Sequence, residues 1–428
     1  THTMPSTSQH GPGAELEIKL ALPTADPASL ARQLARLPAL ARRKPVRKQV
    51  DNIYFDTPAQ ALRAQRMALR LRRVGGDDAP QWLQTFKTSD GGDSALSLRG
   101  EWEVPVPGPA LVQAALQAAP PWQRLDPEGA VFAALQPCFA TAFERTAWTV
   151  RRRDGSVIEV ALDLGQITSG QRSVPICELE LELLAGAPTA LFDLARHIAL
   201  HIAVLPLAAS KAQRGHALRD GTLDTPLRAR PQPLGGDVAW HHMVQPVLGE
   251  MFAQFTANLN ALRHCDDPEL VHQARVGWRR FRGAVRLFKP AVPAQALPSW
   301  QGLQPLLTAL GELRDLDVAC TQTLPALQNA FVAECAERMQ AWQAMELAFR
   351  QAALQQRQAV RRALQAPAVG SDLLAITLWL DELARPEAWG AQDISGKAVR
   401  RWVRQRMVRL HAQWKKALRD STHAESQH

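Results

Sequence analysis

Glu15-Leu16-Glu17-Ile18-Lys19 alternates charged and apolar side chains at the period of a β-strand. Two carboxylates and an ammonium therefore leave one face, and the apolar residues leave the other. Like charges held that closely repel, so such a strand calls for a counter-charge, usually a metal ion or an anionic ligand. An ordinary half-buried strand with a solvated outer face explains the pentapeptide equally well. The pattern recurs, however, in Cys177-Glu178-Leu179-Glu180-Leu181-Glu182-Leu183, with three carboxylates on one face and leucines on the other.

Segments between these two alternate in the same way and add the opposite sign. Arg70 and Arg72 share a face against Leu69 and Leu71, and Lys87 opposes Trp82 and Phe86. Arg99, Glu101 and Glu103 oppose Leu98 and Trp102, while Glu159 and Asp163 oppose Ile158, Val160 and Leu162. The set requires one apolar and one densely charged surface. A curved or closed sheet can carry the charges inside and bury its apolar exterior under helices. Candidate helices lie near residues 28–39 and 189–202. A sandwich with its charges facing water stays open on pattern alone.

These residues resemble the CYTH domain, the triphosphate tunnel metalloenzymes. The resemblance begins with Glu15-x-Glu17-x-Lys19 and runs through Asp51 to Pro58, Leu69 to Arg72, Lys87 and Arg145. It continues through Pro175 to Glu182 and Ser210-Lys211-Ala212-Gln213-Arg214-Gly215, in the family's order over nearly all of residues 14–220. It implies an eight-stranded antiparallel β-tunnel with flanking helices that binds a triphosphate and hydrolyses it with a divalent metal, Mg²⁺ or Mn²⁺. By resemblance, Glu15, Glu17, Glu178 and Glu180 look like metal-holding carboxylates, with Glu182 further along the same face. Glu15, Glu17 and Lys19 look catalytic. Lys19, Arg70, Arg72, Lys87, Arg145, Lys211 and Arg214 look like the substrate-binding set, to which lumen-side parity adds Arg99. Glu101 and Glu103 are further candidates for the metal shell.

The chemistry agrees. Lysine and arginine neutralise phosphate oxygens, arginine through a planar fork. Mg²⁺ favours a few carboxylates plus substrate phosphates. Phosphoryl transfer is mostly positioning and charge stabilisation, so a mixed-sign tunnel needs no Ser or Cys nucleophile. With 50 basic and 41 acidic residues the net charge is +9, which favours anionic partners. No run of about 18 apolar residues exists, so no membrane partner is expected. Five scattered cysteines without CxxC spacing suit neither a disulfide framework nor a zinc site. They fit a cytoplasmic protein, here one associated with polyphosphate granules. Residues 1–13 read as a flexible leader.

Residues 221–236 are rich in Pro and Gly and read as a linker. Beyond them the apolar period becomes helical over 238–264, 268–288, 298–321, 324–365 (with a break), 369–384 and 396–419. Residues 237–428 are therefore expected to form an all-α helical bundle, making the chain α+β overall. On the helix through Val271 to Phe288, His272, Arg275, Arg279, Arg282 and Arg286 fall within an arc of about 80°. No acid interleaves them for i,i+4 pairing, as a solvated face would usually provide.

This half resembles the CHAD domain, through His272-x-x-Arg275-Val276-x-x-Arg279-Arg280-x-Arg282 and Leu310-Gly311-x-x-Arg314-Asp315-x-Asp317. The resemblance implies polyphosphate binding by His272, Arg275, Arg279, Arg280, Arg282 and Arg286. CHAD domains have two related halves. After the basic helix around Arg400 to Arg419 no second His-x-x-Arg helix follows, so the second half is expected to be truncated. The leading function is a metal-dependent inorganic triphosphatase joined to a polyphosphate-binding domain. A non-catalytic polyphosphate-binding protein, a thiamine triphosphatase and an adenylyl cyclase are the alternatives. With a single tyrosine and few stacking platforms, nucleic acid is not an expected partner.

Overall fold

The computed structural model describes residues 14–75, 80–89, 94–232, 238–293, 297–390 and 393–425. The expected leader and His428 lie outside them. Nine strands form one antiparallel sheet: β1 (Ala14–Ala21), β2 (Val46–Asp56), β3 (Met67–Val74), β4 (Gln81–Ser89), β5 (Leu96–Val106), β6 (Gln136–Arg151), β7 (Val157–Ser169), β8 (Arg172–Ala185) and β9 (Leu205–Pro206). The order β5-β4-β3-β2-β6-β7-β8-β1 closes on itself because β1 also pairs with β5, opposing Glu15 to Arg99. The result is an eight-stranded barrel, with the two-residue β9 appended to the far end of β1. Closure removes exposed sheet edges and gives every strand an inner and an outer face.

The two-residue period then sorts the side chains. Ile18, Leu20, Ile158, Val160, Leu162, Leu179 and Leu181 are fully buried on the outside, under Leu30 and Leu34 of helix Leu30–Ala35 and Leu191 and Ile198 of helix Pro188–Ala199. The charged set turns inward. Helix Lys211–Asp220 lies across one end of the barrel. Ser210 and Gln213 form a reciprocal capping box at its start, and Gly221, at φ +70°, ends it. Gly215 on this helix leaves no room for a Cβ against the Phe139 ring, so the helix sits directly on β6.

Gly221 to Gln232 has no helix or strand, yet it is not a loose tether. Leu227 exchanges two hydrogen bonds of 3.0 Å with the Asn258 side chain, and Arg230 N donates to Glu250. Helices follow at Trp240–Leu262, Pro268–Phe288, Gln304–Val318, Leu324–Val332, Ala336–Leu364, Pro367–Leu383 and Lys397–Glu425. The break expected within 324–365 falls at Ala333 and Glu334, both with positive φ. Among the described residues no single helix is long and apolar enough to cross a membrane.

The two halves share their cores. Leu374 and Leu378 of Pro367–Leu383 are buried in the barrel's outer cluster, while Ala21, Leu205 and Leu207 join the helical core. Gly370 permits this approach, since a Cβ there would clash with the Val204 carbonyl.

Candidate active site

The barrel encloses a lumen of about 620 Å³ lined by Glu15, Glu17, Lys19, Arg70, Arg72, Lys87, Arg99, Arg145, Glu180, Glu182 and Lys211 among others. Strand register arranges these groups in tiers. Across β7, β8 and β1, Glu159, Glu182 and Glu17 stand side by side. Lys19 stands opposite Glu180, and Asp163 opposite both Arg145 and Glu178.

One tier is acidic. Lys87 bridges Glu15 at 2.8 Å and Glu101 at 3.0 Å, and Glu17 takes Lys19 at 2.5 Å and Arg99 at 3.3 Å. Glu159 and Glu182 have no ion-pair partner among the described residues. Burial, and then the neighbouring Glu15 charge, push the Glu182 carboxyl up to about 8. Burial also raises Glu15, against the pull of Lys87. Positive charge is therefore short at Glu159 and Glu182, beside the already paired Glu15 and Glu17.

The next tier is only loosely paired. Arg72 is pulled down to about 10, first by burial and then by repulsion from Arg70 and Arg145. Its Nε donates to Asn52 Oδ1 at 3.0 Å, whereas the Nε atoms of Arg70 and Arg99 are buried without an acceptor. Glu101 and Glu103 reach Arg70 and Arg72 only at 3.6–3.9 Å.

At the end under helix Lys211–Asp220 the charges balance. Arg145 forks onto Asp163 with two bonds of 2.7 Å and also reaches Glu180. Lys211 contacts Asp163, Glu178 and Glu180 together. Oxygens of those three carboxylates lie within 4.8 Å of one another, close enough to share a cation, and the Lys211 ammonium already bridges them.

The structure places two of the expected site residues outside the lining of the open lumen. Glu178 is completely buried outside the open lumen, clamped between Lys211 and Arg214. Arg214, three residues on from Lys211 and nearly on the same helix face, also grips Glu178 and does not line the lumen. Glu159, Asp163 and Tyr54 were missing from the expected site. Strand parity shows the first two. Tyr54 lines the lumen, stacked on Phe139 at 4.7 Å, with its hydroxyl 3.5 Å from Arg70. Its signal was its place two residues from Asn52 on one strand face.

In the helical half, His272, Arg275, Arg279, Arg282 and Arg286 line one groove of about 830 Å³ with Lys289 and Arg314. Gly311 makes room for Arg275, whose guanidinium would stand 3.0 Å from a Cβ at that position. Arg280 does not join the strip. It points about 120° away from the strip's centre and pairs with Glu250 at 2.9 Å and with Gln254. Asp317 is an internal partner for Arg357, at 2.5 Å.

A CYTH domain model matches residues 13–216 and a CHAD domain model matches residues 246–428. The chain carries a CYTH domain followed by a CHAD domain. An inorganic triphosphatase from Haemophilus influenzae is 33% identical over 205 residues, covering 48% of this chain and 54% of that protein. The chain thus spans about half the length of this curated relative. Among solved structures, an adenylyl cyclase candidate from Hippeastrum with dominant triphosphatase activity is 22% identical. It covers 49% of this chain and 97% of its own, at a TM-score of 0.36. The CHAD domain from Ricinus communis is 29% identical, covering 46% and 61%, at a TM-score of 0.37.

Proposed function

We propose that the CYTH barrel hydrolyses inorganic triphosphate with a divalent metal, and that the CHAD strip binds polyphosphate. One observation carries the first part. Inside a single lumen, a tier with unpaired carboxylates adjoins a tier with under-satisfied guanidiniums. A metal–phosphate complex supplies both missing charges, cation to the one and anion to the other. Glu15, Glu17 and Glu182, with Glu159 beside them, suit the metal, because Glu159 and Glu182 have no cation among the described residues, whereas Asp163, Glu178 and Glu180 share the Lys211 ammonium. Mg²⁺ or Mn²⁺ would supply Lewis acidity toward a phosphoryl oxygen and acidify a bound water.

The protein's own groups do the rest. Arg70, Arg72 and Arg99 hold and orient phosphate oxygens, and Lys87 and Lys19 neutralise charge as it shifts toward the leaving phosphate. The walled lumen excludes bulk water and strengthens each of these contacts. The polyphosphate reading rests on Arg275, Arg279, Arg282 and Arg286, which have no carboxylate partner among the described residues and share one groove.

The test is phosphate release from tripolyphosphate, ATP, thiamine triphosphate and long polyphosphate, each with Mg²⁺, Mn²⁺ or a chelator. Fastest release from tripolyphosphate, abolished by the chelator, supports the reading. Preference for thiamine triphosphate, or cyclic AMP formed from ATP, would replace it.

A further inference from the structure

Between the two domains lies a second cavity, of about 390 Å³. Its walls are the outer end of β8, helix Lys211–Asp220, residues 222–230 and the last turns of helix Trp240–Leu262. Much of the wall is small and apolar: Ala21, Leu207, Ala209, Ala253 and Ala257. Three arginines interrupt it, Arg214, Arg230 and Arg263, of which Arg214 and Arg263 come from different domains and carry the argument.

Neither Arg214 nor Arg263 is fully satisfied among the described residues. Arg214 uses one terminal nitrogen on Glu178, and its Nε is buried without a partner. Among the described residues Arg263 has only a long contact of 3.5 Å to the Leu22 carbonyl, and its Nε is likewise buried and unpartnered. Repulsion from Arg214 adds to burial in lowering Arg263. Burial and then Arg263 also pull the neighbouring His264 down to about 4, so the ring contributes no charge at neutral pH. Asp224, also in the wall, is raised by burial against the pull of the Arg263 and Arg214 charges, yet it stands beyond ion-pair distance of both among the described residues. The wall offers one orphaned acceptor as well. Asn260 donates to the Pro206 and Thr256 carbonyls at 2.9 and 3.0 Å, leaving its Oδ1 buried and empty-handed.

We infer that this interdomain cavity is a binding site for a small tetrahedral oxyanion that still carries a proton, namely hydrogen phosphate. Its anionic oxygens match the two guanidiniums as a planar fork does, and its P–OH matches the single free acceptor, Asn260. Sulfate has the same shape and charge but no proton at neutral pH, so it leaves Asn260 unanswered. A source for the ligand, phosphate released in the lumen, rests on the triphosphatase reading; the binding itself does not. Helix Lys211–Asp220 touches both compartments, with Lys211 in the lumen and Arg214 at the cavity.

The experiment is calorimetric titration of the full chain with inorganic phosphate and with sulfate, in an Arg70→Ala/Arg72→Ala background that removes the lumen's own phosphate contacts. Arg263→Met in that background is expected to weaken phosphate binding at least about tenfold, the loss of one charge-assisted bond. Hydrogen exchange on adding phosphate locates the site independently of any variant's stability. Protection at residues 222–230 and 253–264 that is stronger with phosphate than with sulfate supports the proposal. Phosphate binding unchanged by Arg263→Met, equal protection by the two anions, or no protection there overturns it. None of these readouts involves turnover, so an inactive tunnel and an empty cavity are separately visible.

Discussion

The tunnel and the strip on helix Pro268–Phe288 are both dense in basic residues, but they handle them in opposite ways. In the tunnel nearly every cation has a carboxylate within 4.0 Å, and Lys211 has three. On the strip, Arg275, Arg279, Arg282 and Arg286 have none among the described residues. A largely self-paired lumen is rigid, and a ligand enters it by meeting the few charges left over and exchanging long internal pairs for closer ones, which selects for charge in the right place. An unpaired strip asks for nothing but negative charge at intervals. It suits a polymer of phosphates and should depend steeply on salt.

The largest effect should come from the acidic tier. Glu15→Gln and Glu17→Gln each remove a charge from the carboxylate group that suits the metal, and each is expected to lower kcat for tripolyphosphate by about a thousandfold. Polyphosphate retention on the strip should not change. Activity kept within about tenfold of the parent in either variant would show that these carboxylates do not hold the metal.

Reversing Arg275, Arg279 and Arg282 to Glu probes the other side of the contrast. Polyphosphate affinity should drop by about a hundredfold at low salt, and the slope of log affinity against log salt should flatten by about 2. Tripolyphosphate turnover should stay within a factor of about two, because the strip and the lumen share no residue. Coupled loss of both would mean that the domains act as one site. Arg280→Glu is the control: it faces Glu250, so its effect should be on stability rather than on polyphosphate.

The same contrast explains what could be read in the sequence. In the barrel the period of two is rigid, so inner and outer faces of β1, β3, β5, β7 and β8 followed from alternation alone. The closed barrel was chosen over a sandwich by the family resemblance, since alternation suits either. On the strip, helical angle correctly grouped His272, Arg275, Arg279, Arg282 and Arg286. The family motif then drew in Arg280, although its angle already pointed elsewhere. Local pattern could not show what depends on distant partners. Glu178 shares parity with Glu180, but helix Lys211–Asp220 covers it. Arg214 belongs to a family motif but lines a cavity shared with the second domain, whose packing no spacing encodes. Glu250, which captures Arg280, is itself a buried acid on another helix.

A smaller, pH-dependent effect would sharpen the account of the acidic tier. Glu182 and its neighbour Glu15 are the tier's raised carboxyls, Glu182 to about 8, first through burial and then through the Glu15 charge. In the unfolded chain such a group ionises near about 4.3. Between those values the folded protein holds a proton that the unfolded chain has released, so stability is lost as pH rises through this window. Glu101, Glu103 and Glu180 are shifted downward, and their contributions are lost only in more acidic solution. The metal-free protein should therefore melt at a lower temperature at about pH 8 than at about pH 6. Glu182→Gln should flatten that slope, because an amide has no proton to lose. Adding Mg²⁺ should stabilise the parent more at the higher pH, where no proton has to be displaced from the carboxylates. If the parent and Glu182→Gln show the same slope in chelator, Glu182 is already ionised at neutral pH, and the acidic tier has found its counter-charge inside the protein.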